Sequence, residues 1–138
     1  MIVLDTSVLS TAFRRRKKLE EESDVATLLK RMVRQDVPLA IPGIVLQELL
    51  SGVPTSDQFE RLQAVAEGFP VLTAEREHHI VAARVSNACR RAGVSATTID
   101  CLIAAQTIVA RGRLLTLDRD FGRMAPHCGL ELFAGTSR

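Results

Sequence analysis

Apolar positions along this chain fall into short continuous runs separated by longer stretches of helical spacing. Ile2-Val3-Leu4 opens the pattern as a run suited to a strand buried on both faces. Leu39-Ala40-Ile41, Pro70-Val71-Leu72 and Arg113-Leu114-Leu115-Thr116-Leu117 repeat it, and Leu130-Glu131-Leu132-Phe133 is a candidate for one more strand. Between them the spacing predicts a helix that follows Glu20-Glu21-Glu22 and runs to about Gln35, and another over Ile44 to Leu50 that Gly52 and Pro54 end. An amphipathic helix is expected over Ser56 to Glu67, with Phe59, Leu62, Val65 and Ala66 on one side. The next should run from Ala74 to about Ala92, with Thr73 as its cap and Gly93 as its stop. Thr97-Thr98-Ile99-Asp100 has the spacing of a capping box for the last of these helices, although Glu is the usual fourth residue.

Strands alternating with helices imply an α/β fold. The expectation is a single domain over residues 1–138, with a central parallel sheet of about four to five strands flanked by helices. There is no internal repeat and no linker-like segment. In open sheets of this kind the functional site lies beyond the carboxyl ends of the strands.

Composition narrows the class without naming an activity. The chain has 46% hydrophobic and 25% charged residues, the balance of a soluble globular protein. A formal net charge of +2 and a pI near 8.6 permit a polyanionic partner without requiring one. The basic run Arg14-Arg15-Arg16-Lys17-Lys18 can grip phosphates, but the acids that follow it favour an ordinary solvated face. Cys89, Cys101 and Cys128 form no C-x-x-C pair, and their odd number points to a reducing compartment. No signal-peptide pattern or membrane-length apolar run occurs, so a cytoplasmic protein without a membrane partner is expected. His78 and His79 lack the i, i+4 spacing of a zinc pair, and with His127 they read as surface or packing residues.

The distribution of acids is the informative feature. Asp5 is the only charged side chain from Met1 to Phe13, Glu48 the only one from Val37 to Ser56, and Asp100 the only one between Arg91 and Arg111. Each is a lone carboxylate in an apolar setting, and none brings a base with it. A desolvated carboxylate must neutralise, find a partner or bind a metal. Asp118 joins them at the expected carboxyl end of the strand that starts at Arg113. Each acid also has a plain structural reading: Asp5 as a helix cap, Glu48 as a surface acid, Asp100 as the capping-box residue. Convergence of all four would be a far more specific signal than any one of them. An all-oxygen set without His or Cys favours magnesium or manganese over zinc, and such ions commonly work on phosphates.

Met1-Ile2-Val3-Leu4-Asp5-Thr6-Ser7, Gln47-Glu48-Leu49-Leu50-Ser51-Gly52, Asp100-Cys101-Leu102-Ile103-Ala104-Ala105 and Leu115-Thr116-Leu117-Asp118-Arg119-Asp120-Phe121 together resemble a PIN-domain ribonuclease, most closely the VapC toxins of toxin–antitoxin pairs. The resemblance spans essentially the whole chain. It implies a metal-dependent endoribonuclease that cuts RNA, often tRNA or rRNA, usually as a homodimer, and is held inactive by a cognate VapB antitoxin. It places Asp5, Glu48, Asp100 and Asp118 at the acidic metal-site positions, with Mg2+ or Mn2+ as cofactor. Thr6 or Ser7 would supply the hydroxyl typical beside the first acid. Asp120 is the rival for the fourth acid, with Asp118 favoured for its strand-end position.

Three other classes compete. An aspartate-based phosphatase needs a second Asp two residues after the first, where this chain has Ser7. A receiver domain needs a phospho-accepting Asp near the third strand and a Lys near the last, and Leu72-Thr73 and Leu130 to Phe133 provide neither. A catalytically inactive PIN-fold RNA-binding or scaffold module would be expected to have lost acids, and all four are present. Trp and Tyr are absent and there are five Phe, so extensive base stacking is not expected.

Overall fold

The computed structural model describes residues 1–14 and 24–134, so the basic run from Arg15 onward and the acids at 20–22 lie outside it. Strand β1 (Ile2–Leu4) leads into helix α1 (Thr6–Leu9), which continues as a π-helical turn over Ser10–Arg14. There follow α2 (Asp24–Arg34), β2 (Leu39–Pro42), α3 (Gly43–Leu50), α4 (Ser56–Ala66), β3 (Val71–Leu72), α5 (Arg76–Arg91), α6 (Thr98–Val109), β4 (Arg113–Leu115) and α7 (Arg119–Cys128).

The sheet has four strands in the order β3-β2-β1-β4, and every pairing is parallel. The α/β architecture and the strand count expected from the sequence are thus borne out. Because β1 and β2 lie inside the sheet with helices packed over it, every residue of both is buried, which is why they read as unbroken apolar runs. The edge strand β3 leaves Val71 exposed. Leu130 to Phe133 does not form a full strand. It contributes one parallel bridge, Leu132 to Leu114, fixed by Leu114 N–H to Glu131 O at 2.9 Å and Phe133 N–H to Leu114 O at 2.8 Å.

Helix α6 is the central packing element. Cys101, Ile103, Ala104, Ala105, Gln106 and Thr107 are all buried, so it is covered nearly all round, as its apolar composition requires. Thr107 returns its hydroxyl to Ile103 O at 2.9 Å, and Gln106 Nε2 donates to Leu72 O of β3 at 2.9 Å. On α4, Leu62 and Ala66 are buried as expected, whereas Phe59 is 40% exposed.

Other local expectations shift by a few residues. Helix α5 is capped by Glu75 rather than Thr73, and His78 Nδ1 accepts from Glu75 N–H at 2.9 Å, which gives this histidine a capping role. Gly93, at φ +74°, follows the end of α5 as its stop signal predicts. Strand β4 ends at Leu115, two residues short of the expected Leu117. Helix α7 had no sequence signal because Gly122 and Pro126 argue against a helix there. Asp118 caps it, and Phe121 and Met124, one turn apart, are fully buried.

Two glycines make opposite predictions. A Cβ on Gly112 would stand 2.8 Å from Met1 O, the carbonyl that accepts Arg113 N–H where β4 joins β1. Gly112→Ala should therefore cost about 1–3 kcal/mol in a urea unfolding experiment. On α7 a Cβ at Gly122 meets nothing within 4 Å, so Gly122→Ala should gain about 0.5–1 kcal/mol from helix propensity. Equal stability of the two variants would contradict the close approach of Gly112 to β1.

Candidate active site

The strand order fixes where a site can form. From β1 the chain moves outward to β2 and β3, then returns to the other side of β1 for β4. The switch point therefore lies between β1 and β4, and Asp5 and Thr116 are the first residues past the two strand ends.

Asp5 is 5% exposed and stands at the N-cap position of α1, yet its side chain makes no capping bond. Instead Oδ2 accepts two hydroxyls, Ser7 Oγ at 2.8 Å and Thr116 Oγ1 at 2.7 Å. Thr116 Oγ1 in turn accepts Asp118 N–H at 3.0 Å, and Ser7 Oγ accepts Leu117 N–H at 2.9 Å. A buried carboxylate thus clamps the loop after β4 to the loop after β1. The helix-cap reading of Asp5 does not hold.

The other acids arrive from helices and have donors of their own. On α3, half-buried Glu48 accepts Thr6 Oγ1 at 2.7 Å, so it is tied to the residue next to Asp5 and is no free surface acid. At the start of α6, Thr97 Oγ1 accepts Asp100 N–H at 3.0 Å, so this turn is capped as its sequence predicts. Burial raises the pKa of Asp100, the nearby carboxylates Asp118 and Asp5 raise it further, and hydrogen bonds from Thr97 oppose them. Asp118 Oδ1 accepts Asp120 N–H at 2.9 Å, while Asp120 itself pairs with Arg123 at 2.6 Å.

A cleft of about 590 Å³ opens beside Asp100 and Asp120 and is bordered by Ser86, Arg90, Ser95 and Thr97. Among the described residues, no three His, Cys, Asp or Glu side chains stand close enough to hold one ion in this conformation. The donor chemistry nevertheless fits a hard cation. Hydrogen bonds among the described residues reach Asp5 Oδ2, Glu48 Oε1 and Asp118 Oδ1, and leave Asp5 Oδ1, Glu48 Oε2 and Asp118 Oδ2 without a donor. Sequence reasoning missed Thr116 as a site residue. Its only signal was its place two residues before Asp118, and a Thr inside a strand-like run reads as ordinary β structure.

A small parallel α/β domain with Asp5 at its switch point, and with Asp100 in electrostatic reach of Asp5 and Asp118, defines the class. The family model of the PIN domain matches residues 2–126, and the chain belongs to that family. Among curated proteins none matches the sequence. Several solved structures share the fold. VapBC2 from Rickettsia felis, bound to a DNA fragment from its promoter, aligns with a TM-score of 0.78 at 19% identity, over 96% of this chain and 98% of that one. VapBC-1 from nontypeable Haemophilus influenzae gives 0.76 at 20% identity, over 99% and 100%. VapBC-5 from Mycobacterium tuberculosis, a member of the VapBC family of toxin–antitoxin systems, gives 0.64 at 21% identity, over 95% of each chain. Among the described residues no helix is long and apolar enough to cross a membrane.

Two measurements test this network. Asp100 holds its proton more tightly in the fold than at its ordinary value of 3.8. Native stability should therefore be fullest below that value and decline as pH rises through the raised one. Asp100→Asn should flatten this decline and melt at or above wild type near neutral pH without metal; melting curves that fall in parallel for the two proteins would contradict the charge crowding. Thr116→Val removes a donor from a buried carboxylate and should cost about 1–3 kcal/mol, whereas Thr116→Ser should recover most of it.

Proposed function

We propose that this protein is a metal-dependent endoribonuclease, with Asp5, Glu48, Asp100 and Asp118 as its metal-binding and catalytic acids, and that it is the toxin of a VapBC-type toxin–antitoxin pair. The observation that supports this most is the gathering of carboxylates from separate segments at the switch point of a PIN fold. Asp100 feels both Asp5 and Asp118, and Glu48 is tied to Thr6 beside Asp5.

Asp5, Glu48, Asp100 and Asp118 would hold magnesium or manganese, which when bound activates water and neutralises charge at the phosphodiester. The chain's own part is to position the acids. Ser7 and Thr116 hold Asp5 in one orientation through its Oδ2, and Thr6 does the same for Glu48 through Oε1. Asp118 is favoured over Asp120 as the fourth acid, because Asp118 acts on Asp100 while Asp120 is engaged by Arg123. The described site residues include no Ser–His or Cys–His pair that would make a side-chain nucleophile. Water is the attacking group, and one ester oxygen leaves from phosphorus.

The substrate class is RNA, with tRNA and rRNA the first to test. The partner is a VapB-type antitoxin and the working form a cytoplasmic homodimer. The likeness to VapBC assemblies supports the antitoxin partner. Partner-free protein should cut total RNA with magnesium or manganese and stop with excess chelator. Asp5→Asn and Asp100→Asn should each lower the rate about 100-fold or more while remaining folded. Cleavage that persists in chelator would refute the metal mechanism. Intact RNA that still binds the protein would instead assign it as an inactive PIN-fold RNA-binding or scaffold module.

A further inference from the structure

An acidic site that cuts a polyanion needs a cation nearby to hold the strand against the repulsion of its own carboxylates. Among the described residues bordering the 590 Å³ cleft, Arg90 is the one cationic side chain, and Asp100 and Asp120 border the same cleft. Arg90 lies in the last turn of α5, is exposed, and makes no ion pair with any described residue. Asp120 already has its cation in Arg123. A guanidinium that borders the same cleft as two carboxylates and pairs with neither can engage a phosphate through two parallel N–H donors.

Its neighbour supplies an internal contrast. Successive helical residues point about 100° apart, and Arg91 borders a different cleft, of about 450 Å³, with Arg84 and His127. Two adjacent arginines of the same charge on the same helix turn therefore serve different surfaces.

We propose that Arg90 is a substrate-binding residue that grips a backbone phosphate of the RNA beside the one being cut, with Ser95 and Thr97 on the same wall of the cleft. The inference rests on the reading of the protein as a ribonuclease and adds the residue that anchors its substrate. It requires a contact to the backbone rather than to a base, so it acts on every sequence alike.

The test compares wild type, Arg90→Gln and Arg91→Gln, using fluorescent bulk tRNA for binding without divalent metal and total RNA for cleavage with manganese. Arg90→Gln should weaken tRNA binding roughly three- to tenfold and lower the magnitude of the salt slope by about 0.7, the share of one phosphate contact. Its KM should rise by a similar factor with little change in kcat, and Arg91→Gln should match wild type. Equal effects of the two substitutions would reduce Arg90 to a contribution from net charge and overturn the proposal. So would an Arg90→Gln protein with wild-type RNA affinity that no longer binds a co-expressed VapB-type antitoxin, since Arg90 would then belong to a protein interface. A wild type that neither binds nor cuts RNA would defeat the ribonuclease reading itself, an outcome distinct from an Arg90 without effect.

Discussion

The burial of Asp5 is the constraint on which the rest of the site depends. Removing an unpaired carboxylate from water costs several kcal/mol, and only donors already in place offset that cost. Here they are the hydroxyls of Ser7 and Thr116, both on Oδ2. Ser7 is local and comes with the chain. Thr116 is 111 residues away and reaches Asp5 because β4 pairs with β1 in register, Leu4 opposite Leu115. The same pairing positions the backbone of Leu117 and Asp118, whose amides bond back to the two hydroxyls. The strand order and the acid site are thus one structural fact: moving β4 elsewhere in the sheet would strand a buried charge.

Around this clamp the fold brings further carboxylates near one another without a described base among them. It tolerates them by giving each its own donor: Thr6 for Glu48, Thr97 for Asp100, and the Asp120 amide for Asp118. Asp100 carries the residual stress, since burial and its charged neighbours all disfavour its ionised form. Among the described residues this arrangement leaves one carboxylate disfavoured in its ionised form and several carboxylate oxygens without a donor.

Much of this was legible in the chain because the strongest signals were local. Ile2 to Leu4 and Leu39 to Ile41 are buried on both faces and therefore read as apolar runs, and Gly93 marks a helix end by the one conformation it supplies cheaply. The lone acids Asp5, Glu48 and Asp100 stood out because a buried charge is rare enough to need a reason. Helix α7 was not legible, since Gly122 and Pro126 oppose it locally and the burial of Phe121 and Met124 overrides them. The capping of α5 by Glu75 was missed because Thr73 is the better intrinsic cap and lies only two residues before it.

Taken alone, the sequence determined the fold class, the position of most elements and the identity of the candidate acids, because burial and backbone preference are written in residue type and spacing. It could not determine which carboxylate oxygen meets which hydroxyl, that Asp5 is a clamp and not a cap, or that Thr116 belongs to the site. Nor could it separate Arg90 from Arg91, identical in type and adjacent in order. Those outcomes depend on which strand lies beside β1 and on how α5, α6 and α7 pack over the sheet. Contacts between residues a hundred positions apart are set by the geometry of the whole domain and leave no periodic trace in the chain.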